Sequence, residues 1–151
     1  MKTMIWFDMD GTIADLYAVE GWLEMLRNFE TTPYEMAQPM FRMSTLARQL
    51  NAVQRKGYGI GIISWCSKES TAEYDARIAE AKRAWLAQHL PSVAWDCIEI
   101  VPYGTPKHEV CSSGFLFDDE HKNRIGWDNA RAGMAFGPEY ITEILSVLNR
   151  R

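Results

Sequence analysis

Residues 4–17 read MIWFDMDGTIADLY. An apolar run, Met4-Ile5-Trp6-Phe7, leads straight into two acids one residue apart and then a Gly-Thr pair. A short, continuously apolar run is the pattern of a strand buried on both faces. Gly11 permits a tight turn, and the Thr12 hydroxyl bonds back to fix it. Taken singly, Asp8 or Asp10 is an ordinary turn or cap residue. Whether the pair carries chemistry depends on what the rest of the chain brings to the same place.

Apolar segments of strand length recur further on: YGIGIISW (58–65), CIEIVPY (97–103), GFLFDD (114–119) and GMAFG (133–137). Helical patterns separate them. Near-continuous apolar strands alternating with helices predict an α/β fold, a Rossmann-like three-layer sandwich around a mostly parallel sheet of about five strands. Leu46, Leu50 and Val53 mark a helix over about 44–56 that Gly57 ends. Ser70 and Glu73 form a capping box, and Tyr74, Ile78, Ala81 and Trp85 follow along one helical face. The last helix has Pro138 in its first turn and a buried stripe of Ile141, Ile144, Leu145 and Leu148. Residues 15–43 break the alternation. They read as a small helical cap inserted after the first strand, within one domain spanning 1–151.

With 47% hydrophobic residues and 24% charged, the composition is that of a soluble globular protein. A net charge of −4 argues against binding nucleic acid by broad electrostatic attraction, but not against a small phosphorylated substrate. Cys66, Cys97 and Cys111 have no metal-ligand spacing, and no apolar run is long enough to span a membrane. Asp8 and Asp10 fall where a signal peptide needs its apolar region, so the expected location is the cytoplasm.

In open parallel sheets ligands sit at the carboxyl ends of the strands. Asp8 and Asp10 end the first strand, and Asp118 and Asp119 end GFLF. Two carboxylates about 4 Å apart repel by roughly 4 kcal/mol at an effective dielectric near 20. Such a cluster needs protons or a cation. Because every candidate ligand is an oxygen, the cation expected is Mg²⁺.

DMDGT resembles the first signature of the haloacid dehalogenase superfamily, whose phosphatases read Asp-x-Asp-x-Thr/Val after an apolar strand. The likeness continues in order. GIGIIS ends in Ser64 like the second signature, Lys107 in GTPKHEV matches the third, and FLFDDE the fourth. The resemblance implies that Asp8 is a nucleophile that becomes an aspartyl phosphate, with Asp10 as acid and then base. It implies that Asp8, the main-chain carbonyl of Asp10, and Asp118 hold Mg²⁺, with Asp119 a supporting partner or further ligand. Ser64 and Lys107 would bind phosphoryl oxygens, with Gly11 and Thr12 shaping the turn. Members that cleave carbon–halogen bonds lack the second acid, so Asp10 makes phosphoryl transfer the expected reaction.

The likeness is greatest to small nucleotidase-like members, which points to a phosphomonoester, a 5′-nucleotide or deoxynucleotide among the candidates. Two other readings stay open: a phosphatase for nucleic-acid ends or phosphoproteins, and a catalytically silent domain that binds a phosphorylated ligand. Lys68 and Lys122 are rivals of Lys107. Trp65 and the group Met36, Met40, Phe41 and Met43 are candidates for the leaving-group wall.

Overall fold

The computed structural model describes residues 2–150. The elements begin with β1 (Met4–Phe7), β2 (Ala14–Asp15), α1 (Trp22–Arg27), α2 (Thr32–Met36) and β3 (Gln38–Pro39). Next come α3 (Met43–Arg55), β4 (Gly59–Trp65), α4 (Ala72–His89), β5 (Cys97–Val101) and α5 (Lys107–Val110). The chain ends with β6 (Phe115–Phe117), α6 (His121–Asn129), β7 (Ala135–Phe136) and α7 (Ile141–Asn149). The five expected strands pair in parallel in the order β5-β4-β1-β6-β7, with β1 at the centre.

Alternation along these strands builds two cores. Ile5, Phe7, Ile60, Ile62 and Phe117 pack with Leu46, Leu50 and Val53 of α3, Trp85 and Leu86 of α4, and Ile141, Leu145 and Leu148 of α7. Trp6, Ile63 and Leu116 face the other way, against Cys111 and Trp127. The result is a three-layer sandwich. Each fully buried Leu or Ile contributes about 1.5–3 kcal/mol. Gly61 is part of this packing, since a Cβ there would lie 2.4 Å from the Trp6 ring on the neighbouring strand.

Successive strands move to one side of β1 through β4 and β5, then to the other through β6 and β7. The order therefore reverses at the carboxyl end of β1, where a crevice forms.

One local reading changes. Helix α4 is capped by Thr71, whose hydroxyl accepts from Tyr74 N at 3.1 Å, while Ser70 bonds the Thr71 carbonyl. Both residues suit the cap chemically; Thr71 holds the extended backbone that precedes a first turn. At α5, Pro106 takes the cap position and Thr105 bonds back to Pro102, so Lys107 opens the helix.

Between β1 and α3 lie α1, α2 and the antiparallel pair β2–β3. Leu16, Leu26 and Tyr34 pack on Tyr74, Ile78 and Ala81 of α4. Tyr74 donates to the Glu30 carbonyl at 2.6 Å, Arg77 to that of Phe29 at 3.0 Å, and Trp85 to that of Ala37 at 2.8 Å. Among the described residues, no helix is long and apolar enough to cross a membrane.

Candidate active site

Phe7 is paired with Phe117 in the parallel ladder, and the Asp8 N–H donates to the Phe117 carbonyl at 2.9 Å. The next residue on each strand is an acid, so register alone brings Asp8 and Asp118 side by side. Asp8, Asp118 and Asp119 each offer a carboxylate oxygen, and these oxygens lie within 4.8 Å of one another. Lys107 reaches between them from α5. Its ammonium donates to Asp8 Oδ1 at 2.9 Å and to Asp118 Oδ2 at 2.6 Å, and it lies 5.5 Å from the centre of the Trp65 ring.

The surroundings hold each acid in place. Thr12 Oγ1 donates to Asp8 Oδ2 at 3.0 Å and accepts from the Asp119 N–H at 3.1 Å. Asp118 accepts from the Glu120 N–H and from Asn123 Nδ2, and Arg124 holds its main-chain carbonyl. Gly11 sits at φ +79°, and a Cβ there would meet Asp119 Oδ2 at 2.4 Å. Gly11→Ala is therefore expected to strain the turn by about 1–2 kcal/mol and to push Asp119 and Thr12 out of place. Thermal unfolding should therefore fall by a few degrees. An unchanged unfolding temperature would mean that the turn bears no such strain.

Acids packed this close cannot all ionise freely. Burial, then the Asp8 charge, pushes Asp118 up to about 6 even with Lys107 beside it. Burial, then a hydrogen bond to Asp8 and the charges of Asp8 and Asp118, pushes Asp119 up to about 8. Asp8 stays below the usual range: burial opposes its charge, but Lys107 and the Asp119 carboxyl outweigh it. Asp10 is raised by burial and by Asp8, against the pull of Lys82. The cluster demands positive charge beyond one lysine. All-oxygen donors from Asp8, Asp118 and Asp119 suit a hard divalent cation. Asp10 lies outside that carboxylate group, because its side chain turns to Lys82; the expectation for it concerned its main-chain carbonyl.

Lys82 is the residue that sequence reading missed. It lies on the buried stripe of α4, four residues after Ile78 and four before Leu86, and is 1% exposed. A cation on an otherwise apolar stripe was the available signal. Lys82 donates to Asp10 Oδ2 at 2.9 Å, Ser64 Oγ at 2.6 Å and the Trp65 carbonyl at 2.7 Å. Ser64 consequently faces α4, fully buried, and the wall of the cavity is formed by its neighbours Trp65, Cys66 and Ser67 instead.

The cavity over these acids has a volume of about 290 Å³. Asp8, Asp10, Lys107, Asp118 and Asp119 line its polar end. Tyr17, Trp22, Leu23, Leu26 and Tyr34 from the cap, with Trp65 and Tyr103, form the rest of the wall, and Arg27 and Lys68 also border it. Trp65 and Tyr103 rings pair at 5.0 Å, and the Trp65 indole N–H is fixed by the Thr105 carbonyl at 2.7 Å. Met36, Met40, Phe41 and Met43 do not line the cavity. Phe41 and Met43 pack on the main core, and Met36 and Met40 are exposed.

No protein-family model matches the chain, and no curated protein matches it in sequence. In fold it is similar to the crystal structure of D,D-heptose 1,7-bisphosphate phosphatase from Burkholderia thailandensis, with a TM-score of 0.55 and 11% identity. The match covers 96% of this chain and 99% of that one. The architecture is thus the expected Rossmann-like three-layer sandwich around a parallel sheet, a fold shared with that phosphatase.

Proposed function

We propose that this protein is a Mg²⁺-dependent phosphatase that hydrolyses small phosphomonoesters through an aspartyl-phosphate intermediate. The observation that carries the proposal is the meeting of Asp8, Asp118 and Asp119 around the buried Lys107 ammonium at one end of a cavity walled by the cap.

In this reading an Asp8 carboxylate oxygen attacks phosphorus. The bond to the leaving oxygen breaks, and that oxygen takes a proton from Asp10. Water then attacks the phosphorus of the aspartyl phosphate and gives a proton to the Asp10 carboxylate. The bond to Asp8 breaks and its carboxylate is restored. Splitting one displacement into two lowers each barrier. Lys107 spends two N–H groups on Asp8 and Asp118 and has a third for a phosphoryl oxygen. Asp8, Asp118 and Asp119 would hold Mg²⁺, which when bound offsets the repulsion between the carboxylate and an incoming phosphate.

The wall favours a planar leaving group. Trp65 with Tyr103, and Tyr17 with Trp22 at a ring distance of 5.0 Å, offer aromatic faces on which a base can stack. A 5′-nucleotide is therefore the preferred substrate in this reading. A phosphosugar is the second, because the phosphatase of similar fold is named for a heptose bisphosphate.

Turnover of p-nitrophenyl phosphate in Mg²⁺ is expected to fall at least about 100-fold in EDTA and to return on adding Mg²⁺. Absence of turnover under every metal condition would leave the silent phospho-ligand domain instead. A panel of nucleoside monophosphates and sugar phosphates should show the nucleotides ahead in kcat/KM, and sugar phosphates ahead would reverse the substrate assignment.

A further inference from the structure

The chemistry above uses one buried lysine, and the site contains two. Lys82 is 1% exposed, and all three of its N–H groups are engaged, by Asp10, Ser64 and the Trp65 carbonyl. A lysine with no free donor is not built to grip phosphate. It is built to hold what it already touches.

Asp10 needs such a holder. It lies beyond the end of β1, and among the described residues Lys82 is the only side chain or main-chain group that hydrogen-bonds its carboxyl. Only Oδ2 is bound, which leaves Oδ1 for the cavity that Asp10 lines. Lys82 is itself fixed on a rigid helix, by the end of β4 below it and the Tyr34 ring 5.0 Å away. From this arrangement we propose that Lys82 is a positioning residue that holds the Asp10 carboxyl where it meets the leaving-group oxygen.

The inference rests on the phosphatase reading, which gives Asp10 its proton-transfer role. The test separates leaving groups that need a proton from those that do not. For Lys82→Met, kcat/KM on an alkyl phosphate such as glycerol 2-phosphate should fall about 100-fold, the usual size of a general-acid contribution. On 2,4-dinitrophenyl phosphate, whose leaving oxygen departs unprotonated, the fall should stay within about threefold. Adding Asp10→Asn to Lys82→Met should cost little more on the alkyl ester, because the two act as a unit. Equal losses on both esters, or losses that multiply in the double variant, would overturn the positioning role.

Should Lys82→Met fail to fold by circular dichroism, Ser64→Ala removes one anchor of Lys82 with little change in volume. It is expected to give the same leaving-group split at about fivefold, and no split overturns the proposal. If the unaltered protein turns over neither ester with Mg²⁺, the phosphatase reading itself fails, a result distinct from the others.

Discussion

Asp8→Asn is expected to abolish phosphomonoester turnover, by about 10⁴-fold or more, while the fold persists. An amide has the volume of the carboxyl but is a poor nucleophile and forms no acyl phosphate under these conditions. The structural cost is small because Thr12 can still donate to the remaining carbonyl oxygen and Lys107 keeps Asp118. The unfolding temperature should therefore move by no more than a few degrees. Mass spectrometry of a rapidly acid-quenched reaction gives a second readout: the unaltered protein should gain a phosphoryl group on the peptide containing Asp8, and the variant should not. Near-normal turnover in the variant would refute the nucleophile.

Lys107→Met is expected to show the second large effect, and in stability as much as in rate. Removing one partner of a buried, hydrogen-bonded charge cluster costs about 3–5 kcal/mol, because the remaining charges are left uncompensated. Here those charges are Asp8 and Asp118, with Asp119 beside them. For a chain of this size that loss corresponds to a fall in unfolding temperature on the order of 10 °C in EDTA. A divalent cation supplies part of the missing charge, so Mg²⁺ should recover more stability in the variant than in the unaltered protein. Turnover should stay low with Mg²⁺ present, since the phosphoryl oxygens lose a donor. Equal unfolding temperatures with and without the lysine would mean that the carboxyls are neutralised some other way.

Much of this was readable from the chain. The strands are apolar on both faces because helices cover both, so they stand out as runs rather than alternations. Once five such runs are read as a parallel sheet, the rule that ligands sit at the carboxyl ends carries Asp8 and Asp118 to the same end. Their direct adjacency needed the register of Phe7 with Phe117, which no local pattern encodes.

Other features were hidden for identifiable reasons. Helix α6 escaped because Trp127 is its one buried residue, too little for a stripe. Ser64 ends an apolar strand as the resemblance requires, but which way its hydroxyl points depends on Lys82, a residue eighteen positions on that reads as a surface charge unless its place on the helix is counted. Which cap residues form the leaving-group wall was hidden for a related cause. Met36 and Met40 are as apolar as Trp22 and Leu26, and only the docking of α1 and α2 on α4 decides which set faces the cavity.

That docking has a consequence for traffic in and out. Tyr74, Arg77 and Trp85 grip the carbonyls of Glu30, Phe29 and Ala37, and Tyr34 joins hydroxyls with Ser67. At about 1 kcal/mol net for each bond, prising the roof away costs about 4 kcal/mol before any apolar contact is counted, so roughly one molecule in a thousand stands ajar. With the roof seated, a guest must fit the space of about 290 Å³ beneath it as it stands.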